Sequence, residues 1–130
     1  MVNNISADEA IIRHTKGGIP AGKLVLGIPF YGYKKAEQGE QGEPTVAYRH
    51  ISQTASLANC TEKWDDIAKM PYLVNAENEV VFVYDNARSI GYKCEYLLQQ
   101  GLLGAMYWEY NQDDSERTLS KAVWNGVMKD

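Results

Sequence analysis

The side chains best suited to chemistry in this chain are large aromatic rings at the ends of two apolar runs. Residues 102–108 (LLGAMYW) are followed at once by a polar stretch that begins with Glu109. Residues 23–32 (KLVLGIPFYG) have the same form and deliver Tyr31. Buried parallel strands read as near-continuous apolar runs, and ligands bind at the carboxyl ends of such strands. Because an aromatic face can stack on the apolar face of a pyranose ring, Trp108 and Tyr31 predict a sugar-binding cleft.

Composition excludes several classes of partner. The 130-residue chain has 17 acidic and 13 basic residues, a formal net charge of −4. A mild acidic excess without a basic stripe argues against nucleic acid as the partner. No apolar run reaches the roughly 20 residues that a membrane span needs, and no signal-peptide pattern is visible. The two cysteines, Cys60 and Cys94, lack metal-ligand spacing, and either a disulfide or two free thiols would fit the pattern.

The elements that must position the rings follow from hydrophobic spacing. This spacing predicts helices over residues 7–16, 46–59, 90–100 and 115–129. Short apolar runs predict strands over residues 24–30, 71–74, 79–84 and 102–108. Ser6 and Glu9 are expected to form a capping box for the first helix. Asp85 is expected to cap the third helix and Gly101 to end it.

Two buried strand–helix units therefore flank a middle segment, residues 34–84, that reads as antiparallel α+β. Its first part, residues 34–45, is charged and holds Gly and Pro, which predicts an exposed loop. The acidic runs at residues 37–43 and 113–116 are expected to be solvated loops. His14 and His50 lie far apart without ligand-like spacing, and nothing in the sequence indicates a bound metal or cofactor.

In the order of its motifs the chain resembles glycoside hydrolase family 18, the chitinase and chitinase-like family. The run KLVLGIPFYG is similar to that family's seventh barrel strand, and GLLGAMYWEYNQDD is similar to its eighth. Between them, AYRHISQ, WDDIAKMPYLV and VFVYDNARSI resemble the chitinase insertion domain and its return to the barrel. The resemblance covers nearly all of residues 7–128.

The resemblance implies a (β/α)₈ TIM barrel of about 250 residues, with active groups on loops at the carboxyl ends of the strands. The fold class implied here is α/β plus α+β: the C-terminal piece of that barrel, its last two strand–helix units, carrying an inserted small α+β domain. The expected division is a barrel segment at residues 1–33, the insertion domain at 34–84 and a second barrel segment at 85–130.

Members of the family cleave β-1,4 bonds between N-acetylglucosamine units, with the substrate's own N-acetyl oxygen as nucleophile. Their acid is a Glu in a DxxDxDxE motif, and this motif does not occur in the sequence. No catalytic residue is therefore assigned. We expect the parent protein to be a glycosidase and this chain alone to be inactive. The alternative is a chitinase-like lectin, which keeps the architecture and binds glycans without cleaving them.

Three positions carry over as substrate-binding residues. The resemblance implies that Trp108 forms the floor of the central sugar subsite, that the Tyr31 hydroxyl reaches the sugar, and that Met106 faces the barrel interior at the base of the cleft. Core packing is the alternative for each. Glu109 should point away along the strand and is not expected to be the acid. Tyr33 departs from the family, since many members have an Arg there that contacts the sugar.

The remaining expectations concern the insertion and the partners. Trp64 and Tyr72 are expected to build the insertion's own small core. The expected partner is chitin or another N-acetylglucosamine glycan; peptidoglycan and N-glycans stay open as substrates, as do endo or exo action and the oligomeric state. The parent is expected to be secreted or held in the cell envelope. The isolated chain is expected to self-associate, because its barrel strands would expose unpaired edges.

Overall fold

The strands of the chain pair in two different ways. A computed structural model describes residues 7–35 and 45–129. Within these ranges, the strands are β1 Val25–Pro29, β2 Tyr31–Lys34, β3 Thr45–Ala47, β4 Thr61–Asp65, β5 Met70–Val74, β6 Val80–Val83 and β7 Gly104–Trp108. β1 and β7 form a parallel two-stranded sheet in which Val25 lies opposite Gly104 and Pro29 opposite Trp108. The other five strands form an antiparallel sheet in the order β3-β2-β6-β5-β4.

The helices confirm much of the predicted pattern. They are α1 Ala7–Lys16, α2 Ala55–Ala58, α3 Ala87–Gln100 and α4 Thr118–Val127. Three short 3₁₀ turns lie at Ala21–Lys23, Tyr48–Gln53 and Tyr110–Gln112. Gly101 ends α3 in the left-handed conformation, with φ 66°, as expected of a C-terminal glycine. Ser6, the predicted capping residue of α1, lies outside the described residues.

The larger core lies between the parallel sheet and three helices. Successive side chains on a strand point to opposite faces, so one face of β1 is buried while the other is not. Helices α1, α3 and α4 cover the buried face. The buried members of this core include Leu26, Ile28, Phe30, Ile11, Ile90, Leu97, Leu119 and Val123.

Close contact between α3 and α4 depends on a glycine. A Cβ atom at Gly126 would lie 2.5 Å from the Cβ of Cys94, which is fully buried. Burial raises the pKa of the Cys94 thiol, so the thiolate is disfavoured. Cys94 and the half-buried Cys60 are both free, so the two cysteines do not form a disulfide.

A smaller core lies on one face of the antiparallel sheet. Its buried members are Leu57, Leu73, Phe82 and Tyr84. Gly32 of β2 allows the strand to pass close to this cluster, because a Cβ there would lie 2.3 Å from a ring carbon of Phe82. Trp64 and Tyr72 are not buried members of it, so their predicted role is wrong.

Trp64 instead joins the antiparallel sheet to α3. The Arg88 guanidinium lies 3.9 Å from the centroid of the Trp64 ring, and the Tyr92 ring lies 6.0 Å from it. Tyr72 pairs in register with Val83 and Lys63, on the face of the sheet opposite Leu73. The sequence reading failed because an aromatic residue in a short strand carries no signal about which face it occupies.

The helix predicted over Val46–Asn59 is also wrong. This segment begins in β3, continues as the 3₁₀ turn Tyr48–Gln53 and ends in the one-turn helix α2. The Thr54 hydroxyl donates to the carbonyl oxygen of His50 at 2.7 Å, which terminates the 3₁₀ turn. The irregular path still buries Leu57 in the smaller core. The apolar spacing of this segment therefore predicted correctly that Leu57 is buried, but not the backbone geometry.

The cap of α3 differs from the prediction by one residue. Asn86 is the N-cap, and its side-chain oxygen accepts from the Ser89 amide at 2.9 Å. The buried Asp85 carboxylate accepts from the Ser89 hydroxyl and from Lys93 Nζ, each at 2.7 Å. Asp85 therefore ties the end of β6 to the first two turns of α3. The closing helix likewise begins at Thr118 rather than at residue 115.

We expect opposite effects from alanine at two helical glycines. Gly126→Ala should lower the free energy of unfolding by about 1–3 kcal/mol, because the new methyl group overlaps Cys94. The new methyl group of Gly91→Ala in α3 meets nothing within 4 Å. This substitution should raise the free energy of unfolding by about 1 kcal/mol through helix propensity alone. Urea unfolding of both variants measures the difference. Equal effects of the same sign would contradict the proposed contact between α3 and α4.

Candidate functional site

The parallel sheet offers one exposed face at its carboxyl end. On the buried side, Phe30 stacks on Tyr107 with ring centroids 4.5 Å apart and planes 6° apart. On the other side, Met106 is 56% exposed and Trp108 is 61% exposed. Because they are two residues apart on β7, these side chains share a face. The structure therefore brings together two of the three residues predicted from the sequence.

Tyr31 lies where the two sheets meet. The Phe30 amide donates to the carbonyl oxygen of Trp108 at 2.7 Å, and Tyr31 follows as the first residue of β2. Its ring meets Tyr33 edge-on, with centroids 5.5 Å apart, and the Tyr33 hydroxyl donates to the Tyr31 hydroxyl at 3.4 Å. This hydrogen bond, followed by burial, raises the pKa of Tyr31. Tyr31 is therefore a neutral phenol at physiological pH, able to donate or accept a hydrogen bond.

The chain turns sharply after Trp108. The peptide bond between Trp108 and Glu109 is cis. The Glu109 amide donates to the side-chain oxygen of Gln112 at 3.0 Å, and the Gln112 amide donates to the carbonyl oxygen of Glu109 at 2.9 Å. These two bonds fix the backbone of Glu109 at the start of the 3₁₀ turn Tyr110–Gln112.

The acidic run that follows is not simply a solvated loop, which corrects the prediction for residues 113–116. Asp113 is 5% exposed. Its carboxylate accepts from the amides of Leu119 at 3.0 Å and Ser120 at 2.8 Å. The Asp114 carboxylate accepts from the Thr118 amide at 2.8 Å. Both carboxylates therefore satisfy amides in the first turn of α4 that have no partner within the helix.

Burial alone would raise the pKa of Asp114, but hydrogen bonds outweigh it. These bonds come from the side chain and amide of Thr118 and from the amides of Arg117 and Glu116. Together they hold the pKa of Asp114 below its ordinary value. Asp114 is accordingly an anion at neutral pH, and its charge lies against the positive end of the α4 dipole.

A polar groove follows the junction between this loop and the 3₁₀ turn Tyr48–Gln53. One cavity of about 550 Å³ is lined by Arg49, Tyr110 and Arg117, among others. A second cavity of about 600 Å³ shares Arg49 and Asp114 with the first and reaches Tyr84. Sequence reasoning missed this groove because its walls come from segments more than fifty residues apart.

Two neutral phenols line the second cavity. Burial, then the charges of Asp114 and Asp113, raise the pKa of Tyr48. Burial and a short hydrogen bond to the Glu62 carboxylate raise the pKa of Tyr84. Aromatic faces, neutral hydroxyls and guanidinium groups are suited to binding a polar ring compound rather than to nucleophilic attack.

Two wider properties bear on the kind of site. No described helix is long and apolar enough to cross a membrane. Among residues 7–35 and 45–129, no group of three or more His, Cys, Asp or Glu side chains is arranged to hold a metal ion.

The family model described as Glycosyl hydrolases family 18 matches residues 2–113. The chain belongs to this family. Chitinase A1 of Niallia circulans is 36% identical over 126 residues, a match that covers 83% of this chain and 18% of that protein.

Solved structures agree with the family assignment. Chitinase ChiW from Paenibacillus sp. str. FPU-7 superposes with a TM-score of 0.86 at 29% identity, covering 100% of this chain and 17% of that one. The chitinase-like agglutinin RobpsCRA from Robinia pseudoacacia gives a TM-score of 0.71 at 26% identity, covering 94% and 37%. The chitinases that the chain matches have the TIM-barrel fold, and this chain is mixed α/β. It spans less than a fifth of the length of Chitinase A1 and of ChiW.

The lowered pKa of Asp114 predicts a pH-dependent contribution to stability. Asp114→Asn should be less stable than the wild type at neutral pH, because the amide lacks the charge that α4 favours. Since the folded pKa lies below the unfolded value of about 3.9, this advantage is present above about pH 4 and is lost as the pH falls through the folded pKa. Urea unfolding from about pH 2 to pH 7 should show the two curves converging at the acid end.

The matched control for this prediction is Glu116→Gln, which changes an exposed carboxyl to an amide in the same loop. Its free energy of unfolding should lie within about 0.5 kcal/mol of the wild-type value at pH 7. A gap for Asp114→Asn that stays constant across the range would contradict the assigned role.

Proposed function

We propose that this chain is the C-terminal part of a family 18 glycosidase and supplies sugar-binding residues to its cleft. The observation that carries the proposal is the exposed indole of Trp108 at the carboxyl end of β7, beside the end of β1. An indole is a large, rigid, amphipathic surface on which a pyranose ring can stack. Met106 lies next to it on the same face, and the Tyr31 phenol offers a neutral hydroxyl at the neighbouring strand end.

The proposed ligand class is a glycan that contains N-acetylglucosamine. Its support is the family membership together with the names of the relatives, several of which are chitinases. Tyr33, which stands where many members have Arg, is 47% exposed. This change removes a cation from the cleft and favours a ligand held more by ring contacts than by charge. A glycan outside the cell fits a parent protein that is secreted or attached to the envelope.

We also propose the division of the chain into barrel and insertion. Residues 1–33 and 85–130 would be the last two strand–helix units of a TIM barrel, and residues 34–84 an inserted α+β domain. The parallel pairing of β1 and β7, covered by α3 and α4, supports the barrel assignment. The separate small core of the antiparallel sheet supports the insertion.

The DxxDxDxE motif is absent from this sequence. The chain therefore lacks the residues that catalysis in this family requires. We propose that the parent protein hydrolyses the glycan and that this chain alone only binds it. The second candidate is a non-catalytic lectin, favoured by the similarity to the chitinase-like agglutinin. An intact DxxDxDxE glutamate in the parent sequence would favour the glycosidase, and a replaced one would favour the lectin.

Two exposed tryptophans make a matched test of the binding site. Trp108→Ala should weaken binding of a chitin disaccharide by about fivefold to tenfold, because a stacking surface is lost. Trp124→Ala removes an equally exposed indole, 65% against 61%, from α4 and should leave the affinity unchanged. Isothermal titration calorimetry measures both. Weaker binding in Trp124→Ala alone would place the sugar away from Trp108. Release of reducing ends by the wild-type chain would refute the proposal that this chain alone does not cleave the glycan.

Self-association should follow from the open edges of the two-stranded sheet. Sedimentation velocity of the isolated chain should show a dimer or larger species that grows with concentration. Val25→Lys places a charge on β1 at a position that is 48% exposed, and it should shift the chain toward monomer. Ile12→Lys, a comparable change at a 40% exposed position on α1, serves as the control. A monomeric wild-type chain at high concentration would refute this prediction.

A further inference from the structure

Two segments of the sequence match the acceptor pattern for N-linked glycans. The pattern is Asn, then any residue except Pro, then Ser or Thr. It occurs at residues 4–6 (NIS) and 59–61 (NCT), and none of the other six asparagines has a Ser or Thr two residues further on. Residues 4–6 lie outside the described residues. The structure therefore bears on the second segment.

Asn59 lies in a two-residue turn between α2 and β4, which begins at Thr61. The Cys60 amide closes this turn by donating to the carbonyl oxygen of Leu57 at 3.1 Å. The Cys60 thiol donates to the carbonyl oxygen of Ser56 at 3.4 Å. Asn59 and Thr61 are exposed, whereas Cys60 is half-buried. The middle residue therefore anchors the turn, and the two residues that the pattern requires are accessible to an enzyme.

The two exposed side chains have no competing partner. Within residues 7–35 and 45–129, neither the Asn59 side chain nor the Thr61 side chain forms a hydrogen bond. The amide nitrogen of Asn59 is therefore available as a nucleophile, and the hydroxyl of Thr61 is available for recognition. No native contact has to break before a transferase binds this segment.

The surroundings leave room for a bulky substituent. In the described part of the chain, β4 is an edge strand of the antiparallel sheet, whose order is β3-β2-β6-β5-β4. Three strand spacings of about 4.8 Å separate β4 from β2, so these two strands lie about 14 Å apart. Tyr31, a proposed sugar-binding residue, lies on β2. A glycan attached beside β4 therefore projects from the edge of the sheet that is remote from Tyr31.

We propose that Asn59 is an acceptor site for an N-linked glycan, with a lipid-pyrophosphate-linked oligosaccharide as the donor. The side-chain nitrogen of Asn59 forms a bond to the anomeric carbon of the donor sugar. The bond from that carbon to the pyrophosphate oxygen breaks, the lipid pyrophosphate leaves with the electron pair, and the amide nitrogen gives up one proton. Such a glycan is bulky and solubilising at a protein surface. The inference goes beyond the proposed function and uses one part of it, namely that the parent protein is exported.

The test directs the 130-residue chain into the secretory pathway of a eukaryotic host. Peptide N-glycosidase in heavy-oxygen water converts a glycosylated asparagine to an isotope-labelled aspartate, which peptide mass spectrometry locates. The wild-type chain should carry this label at Asn59. Thr61→Ser keeps the hydroxyl and should retain the label, whereas Thr61→Val keeps the shape without the hydroxyl and should lose it.

Asn125 is the matched control, because it is also exposed but is followed two residues later by Val127. It should carry no label. Asn4→Gln removes the other acceptor pattern, so the electrophoretic shift that remains in this variant should belong to Asn59. An unlabelled Asn59 in the secreted wild-type chain would overturn the inference, whatever the state of Asn4. A label that persists in Thr61→Val would overturn the assignment to this pattern.

Sugar binding distinguishes failure of this inference from failure of the proposed function. The glycosylated chain and Asn59→Gln should bind the chitin disaccharide equally well, because β4 lies about 14 Å from β2. Weaker binding by the glycosylated chain would overturn the placement of the glycan away from the cleft. An unlabelled Asn59 together with weaker binding in Trp108→Ala would overturn the acceptor site alone. A labelled Asn59 together with unchanged binding in Trp108→Ala would overturn the proposed function alone.

Discussion

The structure depends on the parallel pairing of β1 and β7 and on the helices that cover one face of this pair. Five registered residue pairs, from Val25 opposite Gly104 to Pro29 opposite Trp108, hold together segments that are separated by more than seventy residues. Helices α3 and α4 bury only one side of this pair. The other side presents Met106 and Trp108 to solvent, so the same alternation that forms the core also forms the candidate cleft.

One residue at the end of this pair connects it to the antiparallel sheet. The amide of Phe30 donates to Trp108 at 2.7 Å, and its carbonyl oxygen accepts from the amide of Tyr48 at 2.9 Å. The fully buried Phe30 ring stacks on Tyr107. Phe30 therefore locates the aromatic end of β7, the start of β2 and the 3₁₀ turn Tyr48–Gln53 with respect to one another. A second tie, from Arg88 to Trp64, joins α3 to β4.

Segments in which the apolar pattern forms a single helix or strand were predicted well, and the segment Val46–Asn59, which divides among three elements, was not. The spacing of Ile90 and Leu97 predicted most of α3, and the apolar runs predicted β1 and β7, because each pattern extends over a full element. The segment Val46–Asn59 has apolar residues at helical intervals, yet tertiary contacts with Phe82 and Tyr84 drew it into an irregular path. The spacing of apolar residues cannot distinguish a continuous helix from this irregular path, since both bury the same side chains.

The sequence by itself determined which rings lie at the ends of the two apolar runs, Trp108 and Tyr31, and the order of motifs that marks family 18. The ends of strands and helices depend on residues that are close together in the sequence, so residue propensity and hydrophobic periodicity predict them. Only the tertiary structure decided that the Asp113 and Asp114 carboxylates accept from amides of α4, and that Arg49 and Tyr110 line one cavity. These relations join distant segments, and a side chain's hydrogen-bond partner depends on which amides and charges the fold brings beside it.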